Sequence, residues 1–450
     1  MAHNTHEIPS TEERFEFSSE SKSKLLIAAA LGVVLVAIGA FLLNKGWSIG
    51  VWESHGAGHG AAAGHEGGHA AAAAHGGGEH HGATLINRII ANLWMNSVYF
   101  LGISVVGMFF IAYNYVAKAG WPVTMKRVAE AFPSFIWVPG AILIILYLVP
   151  ATRHMIFHWT HEGIMEKGSE NYDKIIATKS WYLNMPFFTI RLLAYVGVWY
   201  YLWTLVRKYS IAEEQEGGLD YYYKSRNVSK IFLLFFAVTS STSAWDLSMS
   251  IDTHWFSTMF GWYHLASWHV AGLAAIMFAV LILKDKGYLK AVNSSHLHDL
   301  GKLIFGFSIF WTYVWFSQYL LIFYANLPEE TIYFRERFTG HDGRYWWPFH
   351  INFVLNFFFP ILILMARDSK RRPTLLKLGC ASILVGHWFD FYQMHMPGIA
   401  KDQGGIGIIE WGTTLTFASL FIYFVATQLS KANLYPKKHP FLEESLHHDI

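Results

Sequence analysis

Cysteine is almost missing from this sequence: Cys380 is the only one in 450 residues. A disulfide within the chain, an iron–sulfur cluster held by its own thiolates and a C-x-x-C-H haem attachment are therefore excluded. Charged residues are scarce as well, at 15% against about 25% in soluble domains. The net charge of +2 says nothing about partners, and nothing in the chain points to nucleic acid. The longest segment between apolar stretches is a low-complexity run, so no sequence is left for a sizeable extramembrane domain.

What the chain has instead is hydrophobic residues, 53% of the total, gathered into ten apolar stretches. These are 25–43, 89–116, 132–148, 183–206, 231–248, 261–283, 303–324, 347–366, 375–393 and 408–427. About 18–25 mostly apolar residues cross the ~30 Å hydrocarbon core as a helix, which satisfies its own backbone. An all-α polytopic membrane protein of about ten transmembrane helices is expected, with two four-helix bundles and flanking helices. The chain divides into a tail (1–23), a first helix (24–44), a His/Gly/Ala-rich outer loop (45–87) and a first bundle beginning in 88–230. Residues 231–394 complete that bundle and form the second; the tenth helix (395–430) and a tail (431–450) follow. Trp262, Tyr263, Trp346 and Trp347 fall at helix ends, where interfaces collect aromatics. Roughly two thirds of the Lys and Arg lie on the side shared by the termini, which sets both termini in the cytoplasm. The first stretch reads as a retained anchor rather than a signal peptide, since no small-x-small cleavage site follows it. The seven histidines of 52–84 (His55, His59, His65, His69, His75, His80, His81) lack a fixed spacing and read as a linker, with no metal site.

Function must sit in the ionisable residues that interrupt these stretches, because a charge in hydrocarbon costs several kcal/mol without a partner or water. Arg191, Asp246, His264, His269, His387 and Asp390 fall within the spans, with Gln318 beside them and His350 and Glu410 near helix ends. His387 and Asp390 are three apart and share a helix face. Most of this set gathers toward the outer side. Carboxylates and imidazoles bridged by hydroxyls and water suit proton transfer, so the set reads as an outer half-channel. The hydroxyl run Thr239–Ser243 could continue it inward, toward Ser308, Thr312 and Tyr313. Each residue also has a plainer reading: Arg191 as a packing ion pair, the hydroxyls as helix-backbone caps, Asp252 and His254 as snorkelling side chains. A quinone pocket built from His387, Asp390 and Trp262, with Trp388, is a second possibility. A haem between His387 and His264 or His269 is a third.

Specific strings carry a family resemblance. They are WDLSMSID from Trp245, HWFST from His254, WTYVWFSQY from Trp311, YANLPEE from Tyr324, GHWFD from Gly386 and PFLEES from Pro440. Together they resemble the ActF family, the smaller NrfD-like (polysulfide-reductase-like) membrane subunit of bacterial alternative complex III. The resemblance covers roughly residues 88–446, and the His-rich loop departs from it. It implies a subunit of a quinol:electron-acceptor oxidoreductase in the bacterial cytoplasmic membrane. Quinol, c-type haems and iron–sulfur clusters are then expected in partner subunits, among them a larger NrfD-like subunit with the quinol site. This chain would carry no redox cofactor, support assembly and possess a transmembrane proton pathway; quinone binding in its own right is the alternative within the family. A secondary transporter is a competitor from another class, but Pro186 and Pro360 do not form the paired broken helices such folds show. A purely structural subunit is the remaining one.

Overall fold

The structure, a computed structural model, describes residues 12–45, 47, 50–51 and 80–449. Most of the histidine-rich tract lies outside the described residues. Among them, nine helices are long and apolar enough to cross a membrane. They are α1 (Ser19–Asn44), α2 (His80–Ala117), α3 (Trp121–Leu148), α4 (Met185–Glu216), α5 (Asp220–Leu247), α6 (Met259–Asp285), α7 (Ser294–Ala325), α8 (Trp346–Leu364) and, last in the chain, α10 (Ile408–Leu429). The other expected stretch forms α9 (Pro373–Ile399), whose 27 residues reach about 40 Å. Its second half carries His387, Asp390, Gln393 and His395, all buried, which makes it less apolar than its neighbours.

The helices depart from the expected limits where charge and turn chemistry dictate. α4 runs on to Glu216 and meets α5 through Gly217 and Gly218, both at positive φ, a conformation open to glycine at no steric cost. α8 widens into a π-turn at Val354–Phe358. Pro360 has no N–H for the Asn356 carbonyl one turn back, so regular α geometry cannot continue there.

Apolar burial does not drive helices together in lipid, so small residues and polar groups must hold them. α2 lies at the centre, buried along nearly its whole length, against α5, α6, α9 and α10. Gly102 of α2 admits the Trp268 indole of α6; a Cβ at 102 would sit 1.8 Å from it. Trp268 Nε1 then donates to the Val98 carbonyl at 3.1 Å. α1 leans on α10 where Gly32 meets Gly412 backbone, and its Leu26, Ile27, Val33 and Phe41 stay exposed.

Both terminal segments meet at one end of the bundle. Glu13 N donates to Asn433 Oδ1 at 2.8 Å, and Leu434 N donates to the Glu13 carbonyl at 2.8 Å. Ser445 Oγ donates to the Trp121 carbonyl, and His448 Nε2 lies 2.8 Å from Asp299 Oδ2.

Candidate functional site

Five carboxylates are buried among the described residues; three of them, Asp390, Asp246 and Glu410, are ones the sequence singled out, and their partners differ. Asp390 of α9 is fully buried and pairs with no Arg or Lys among the described residues. Its oxygens accept from four neutral donors. Tyr263 OH approaches Oδ1 closely, and Asn352 Nδ2 reaches it at 3.0 Å; Ser267 Oγ (2.6 Å) and Trp311 Nε1 (3.1 Å) reach Oδ2. His387 Nδ1 lies 3.4 Å from Oδ2. Four helices thus converge on one carboxylate: α6 gives Tyr263 and Ser267, α7 Trp311, α8 Asn352 and α9 His387. The π-turn of α8 places Asn356 Nδ2 2.6 Å from Asn352 Oδ1, and Gly386 leaves room for it, since a Cβ there would lie 2.3 Å from Asn356 Oδ1.

Beside this cluster, a cavity of about 20 Å³ is lined by Tyr263, Gln318, Tyr333, Arg337, Asn352 and Gln393. That is enough for one water. The Oε1 atoms of Gln318 and Gln393 have no protein partner, so polar groups suited to such a water line it. Arg337, on the surface helix Pro328–Phe338, stacks on Tyr333 at 3.4 Å and holds Asp252 at 3.1 Å. Burial lifts the neighbouring Glu336 carboxyl above its ordinary range, and the Asp252 charge adds to this. Polar groups therefore lead from Asp390 to the half-exposed rim.

The other two acids are locked. Arg191 takes Asp246 in a two-point pair (2.7 and 2.9 Å), while Tyr195 OH donates to the same carboxylate at 2.6 Å. Arg191 also stacks on Tyr182 at 3.9 Å. Arg88 holds Glu410 through two bonds of 2.7 Å, with Asn92 and the Gly407 N–H on the same carboxylate. A bidentate guanidinium fixes the geometry of each pair as well as supplying the opposite charge.

The remaining expected residues scatter. His264 packs against Trp268 and Phe391, and His269 against Phe109, Tyr113 and Phe307; both imidazoles are buried without a hydrogen-bond partner. With His387 turned to Trp311 and Asp390, the three rings have different neighbours. Thr239, Ser243 and Thr312 each donate to their own helix backbone, as do Ser308 and Ser240. Thr239 also accepts from Trp199 Nε1 at 3.0 Å. Three expectations meet a different geometry. Tyr313 is 64% exposed on the outside of α7, so it cannot line an inner channel. Trp262 is likewise 56% exposed, about 100° around its helix from the Asp390-facing Tyr263, and does not line the cavity beside Asp390. His254 and Asp252 do not snorkel freely either: they pair with Asp173 at 2.6 Å and with Arg337.

Sequence reasoning missed a second cluster, at the end of the bundle where the termini meet. Arg127 bridges Glu130 (3.2 Å) and Glu214 (2.6 Å), and Arg207 lies 3.4 Å from Glu130. Ser210 Oγ donates to Glu130 at 3.1 Å, and Lys126 Nζ donates to Ser210 Oγ at 3.0 Å and Tyr115 OH at 2.5 Å. The buried Glu213 carboxylate has no hydrogen bond; its nearest cation is Lys126 Nζ at 3.9 Å. Next to Lys126 is a cavity of about 30 Å³ that Asn114, Tyr222 and His439 also line. These residues look like loop charges in the sequence. The signal that could have found them is spacing: Lys126, Arg127 and Glu130 share a helical turn, and Arg207, Ser210 and Glu214 share one face of α4.

No protein-family model matches the chain, and no curated protein matches it either. Fold and site together define a class: a helical protein with many apolar, membrane-length helices, in which the buried Asp390 meets no Arg or Lys among the described residues while Asp246 and Glu410 are each paired with an arginine.

Proposed function

We propose that this chain is the proton-conducting, redox-inert membrane subunit of a quinol:electron-acceptor oxidoreductase of the alternative complex III type. It sits in the bacterial cytoplasmic membrane with both termini cytoplasmic, beside haem c, iron–sulfur and larger NrfD-like subunits that carry electrons and bind quinol. The observation that carries the proton reading is Asp390: a buried carboxylate ringed by neutral donors and one imidazole, with a water-sized cavity toward the rim. Unlike Asp246 and Glu410, it is clamped by no guanidinium among the described residues, and it is the acid assigned to carry the proton. His387 is placed to share that proton, and Tyr263 and Ser267 to reorient as it moves. The second cluster supplies the inner mouth, on the side richer in Lys and Arg. The family strings support the complex, and the single cysteine supports a chain that carries no electrons. A quinone at His387 and Asp390 finds little support, because the adjoining cavity is far smaller than the ~300 Å³ or more that ligand pockets need.

The test is Asp390→Asn in the assembled complex, reconstituted in vesicles. Quinol oxidation should persist while proton release per electron falls by about tenfold or more, as for loss of a positioned proton-transfer group. Unchanged release would sink the assignment. Purification of the chain alone, without haem or iron–sulfur subunits, would sink the complex.

A further inference from the structure

A large cavity has no part in the proton reading. It is a cleft of about 800 Å³ between α6 and α10, floored by α2, with one end closed by α9 and the other bordered by α1. Its lining is overwhelmingly apolar: Ile103, Phe278, Ile282, Leu384, Phe421 and Val425 are typical. Along α10 it extends from Leu429 to Trp411, about 27 Å at 1.5 Å per residue. One leaflet of the hydrocarbon core is about 15 Å deep, so a chain entering at the Leu429 end lies wholly inside.

The two ends differ in what they offer a headgroup. At the Trp411 end the polar side chains are already used within the protein. Tyr99 OH donates to the Leu384 carbonyl, and Trp388 Nε1 and Thr414 Oγ1 both donate to Asn96 Oδ1. Trp388 and Trp411 stack as an apolar floor, their centroids 5.3 Å apart. At the other end, Lys24 of α1 and Lys286 just beyond α6 line the cleft with Ser21, Glu16 and Tyr288. Lys286 makes no ion pair among the described residues. Lys24 has only an exposed partner, Glu20, of the kind worth little. We infer that the cleft holds a phospholipid with an anionic headgroup, its phosphate at Lys24 and Lys286 and its acyl chains along α6 and α10. The lipid joins α1 and α10 to the central helices, a contact the protein itself makes only in part.

The measurement is native mass spectrometry, with lipid extraction, of the complex purified in mild detergent. Wild type should retain phosphatidylglycerol or cardiolipin through detergent washes. Ala418→Trp and, separately, Ala279→Trp fill the cleft from opposite walls, and each should lose that lipid while assembly and quinol oxidation persist. Lys24→Ala and Lys286→Ala should each reduce the preference for phosphatidylglycerol over phosphatidylcholine about fivefold, the value of about 1 kcal/mol per lysine. Equal lipid retention in both filled variants overturns the inference. So does an unchanged headgroup preference in the lysine variants, or a quinone found as the molecule the tryptophans displace.

Discussion

Arg191 and Asp390 state the contrast between structural and functional charge at the level of single residues. Arg191 neutralises Asp246 within one hydrogen-bonded unit, so Arg191→Ala leaves a buried anion without its cation. The expected loss is about 3–5 kcal/mol, read as a drop in thermal stability in detergent. Arg191→Leu with Asp246→Leu should restore most of it, because the pair is then replaced rather than broken. If the single and double variants are equally unstable, the pair is not what holds α4 to α5. Asp390→Asn creates no stranded charge, but its single acceptor oxygen serves either Tyr263 and Asn352 or Ser267 and Trp311, so the donors on the other side must turn away; its stability cost is expected at about 1–3 kcal/mol. A much larger loss would make Asp390 a structural acid and favour the purely architectural subunit.

At the scale of elements, the approach of α8 to α9 decides the geometry of the site. The π-turn brings Asn352 and Asn356 to Asp390, and Gly386 is the residue that allows the contact. Gly386→Val must displace Asn356, with an overpacking cost of about 1–3 kcal/mol. Because the displaced group belongs to the Asp390 hydrogen-bond chain, proton release should fall in this variant even where the complex assembles. Coupling equal to wild type in assembled Gly386→Val would show that the asparagines only pack. Pro360 has a matching role: replacing it with Leu gives the Asn356 carbonyl a possible N–H partner and should straighten α8, visible as altered hydrogen exchange over 352–358.

For the whole molecule, the docking of the C-terminal segment carries a pH dependence. His439 is buried against Tyr115, Tyr222 and Phe441, and its Nδ1 accepts from Phe441 N at 3.2 Å. Burial, with Lys126 and Arg127 nearby, pushes the imidazole well below its ordinary value. The folded state thus binds this proton less well than the unfolded chain, so stability from the neutral imidazole is complete above the ordinary pKa of about 6.5. It is lost as pH falls from there toward the lowered folded value. The protection of residues 433–449, taken relative to intrinsic exchange at each pH, should therefore fall between about pH 7.5 and about pH 5.5, and His439→Phe should flatten that dependence. A tail equally protected at both values would remove His439 from the account.

Much of this was legible from the sequence because the bilayer is a severe solvent. It requires long apolar helices, and it makes any buried charge conspicuous; both follow from composition along the chain. Apolar stretches therefore marked the helices, and Asp246, His387 and Asp390 stood out without knowledge of their neighbours. What the sequence could not show was which acid meets which cation. Arg191 finds Asp246 and Arg88 finds Glu410 across separations of 55 and 322 residues, while Asp390 meets no arginine. Nor could it show that Tyr313 and Trp262 point outward, since one rotation of a helix about its axis decides that. The second cluster was hidden for the opposite reason: its charges sit at helix ends, where charge is ordinary in sequence, and only packing reveals that they are buried. Sequence by itself thus determined the helices and the list of unusual residues. Tertiary structure alone decided which of them are neutralised, because pairing depends on distances of a few ångströms between segments far apart in the chain.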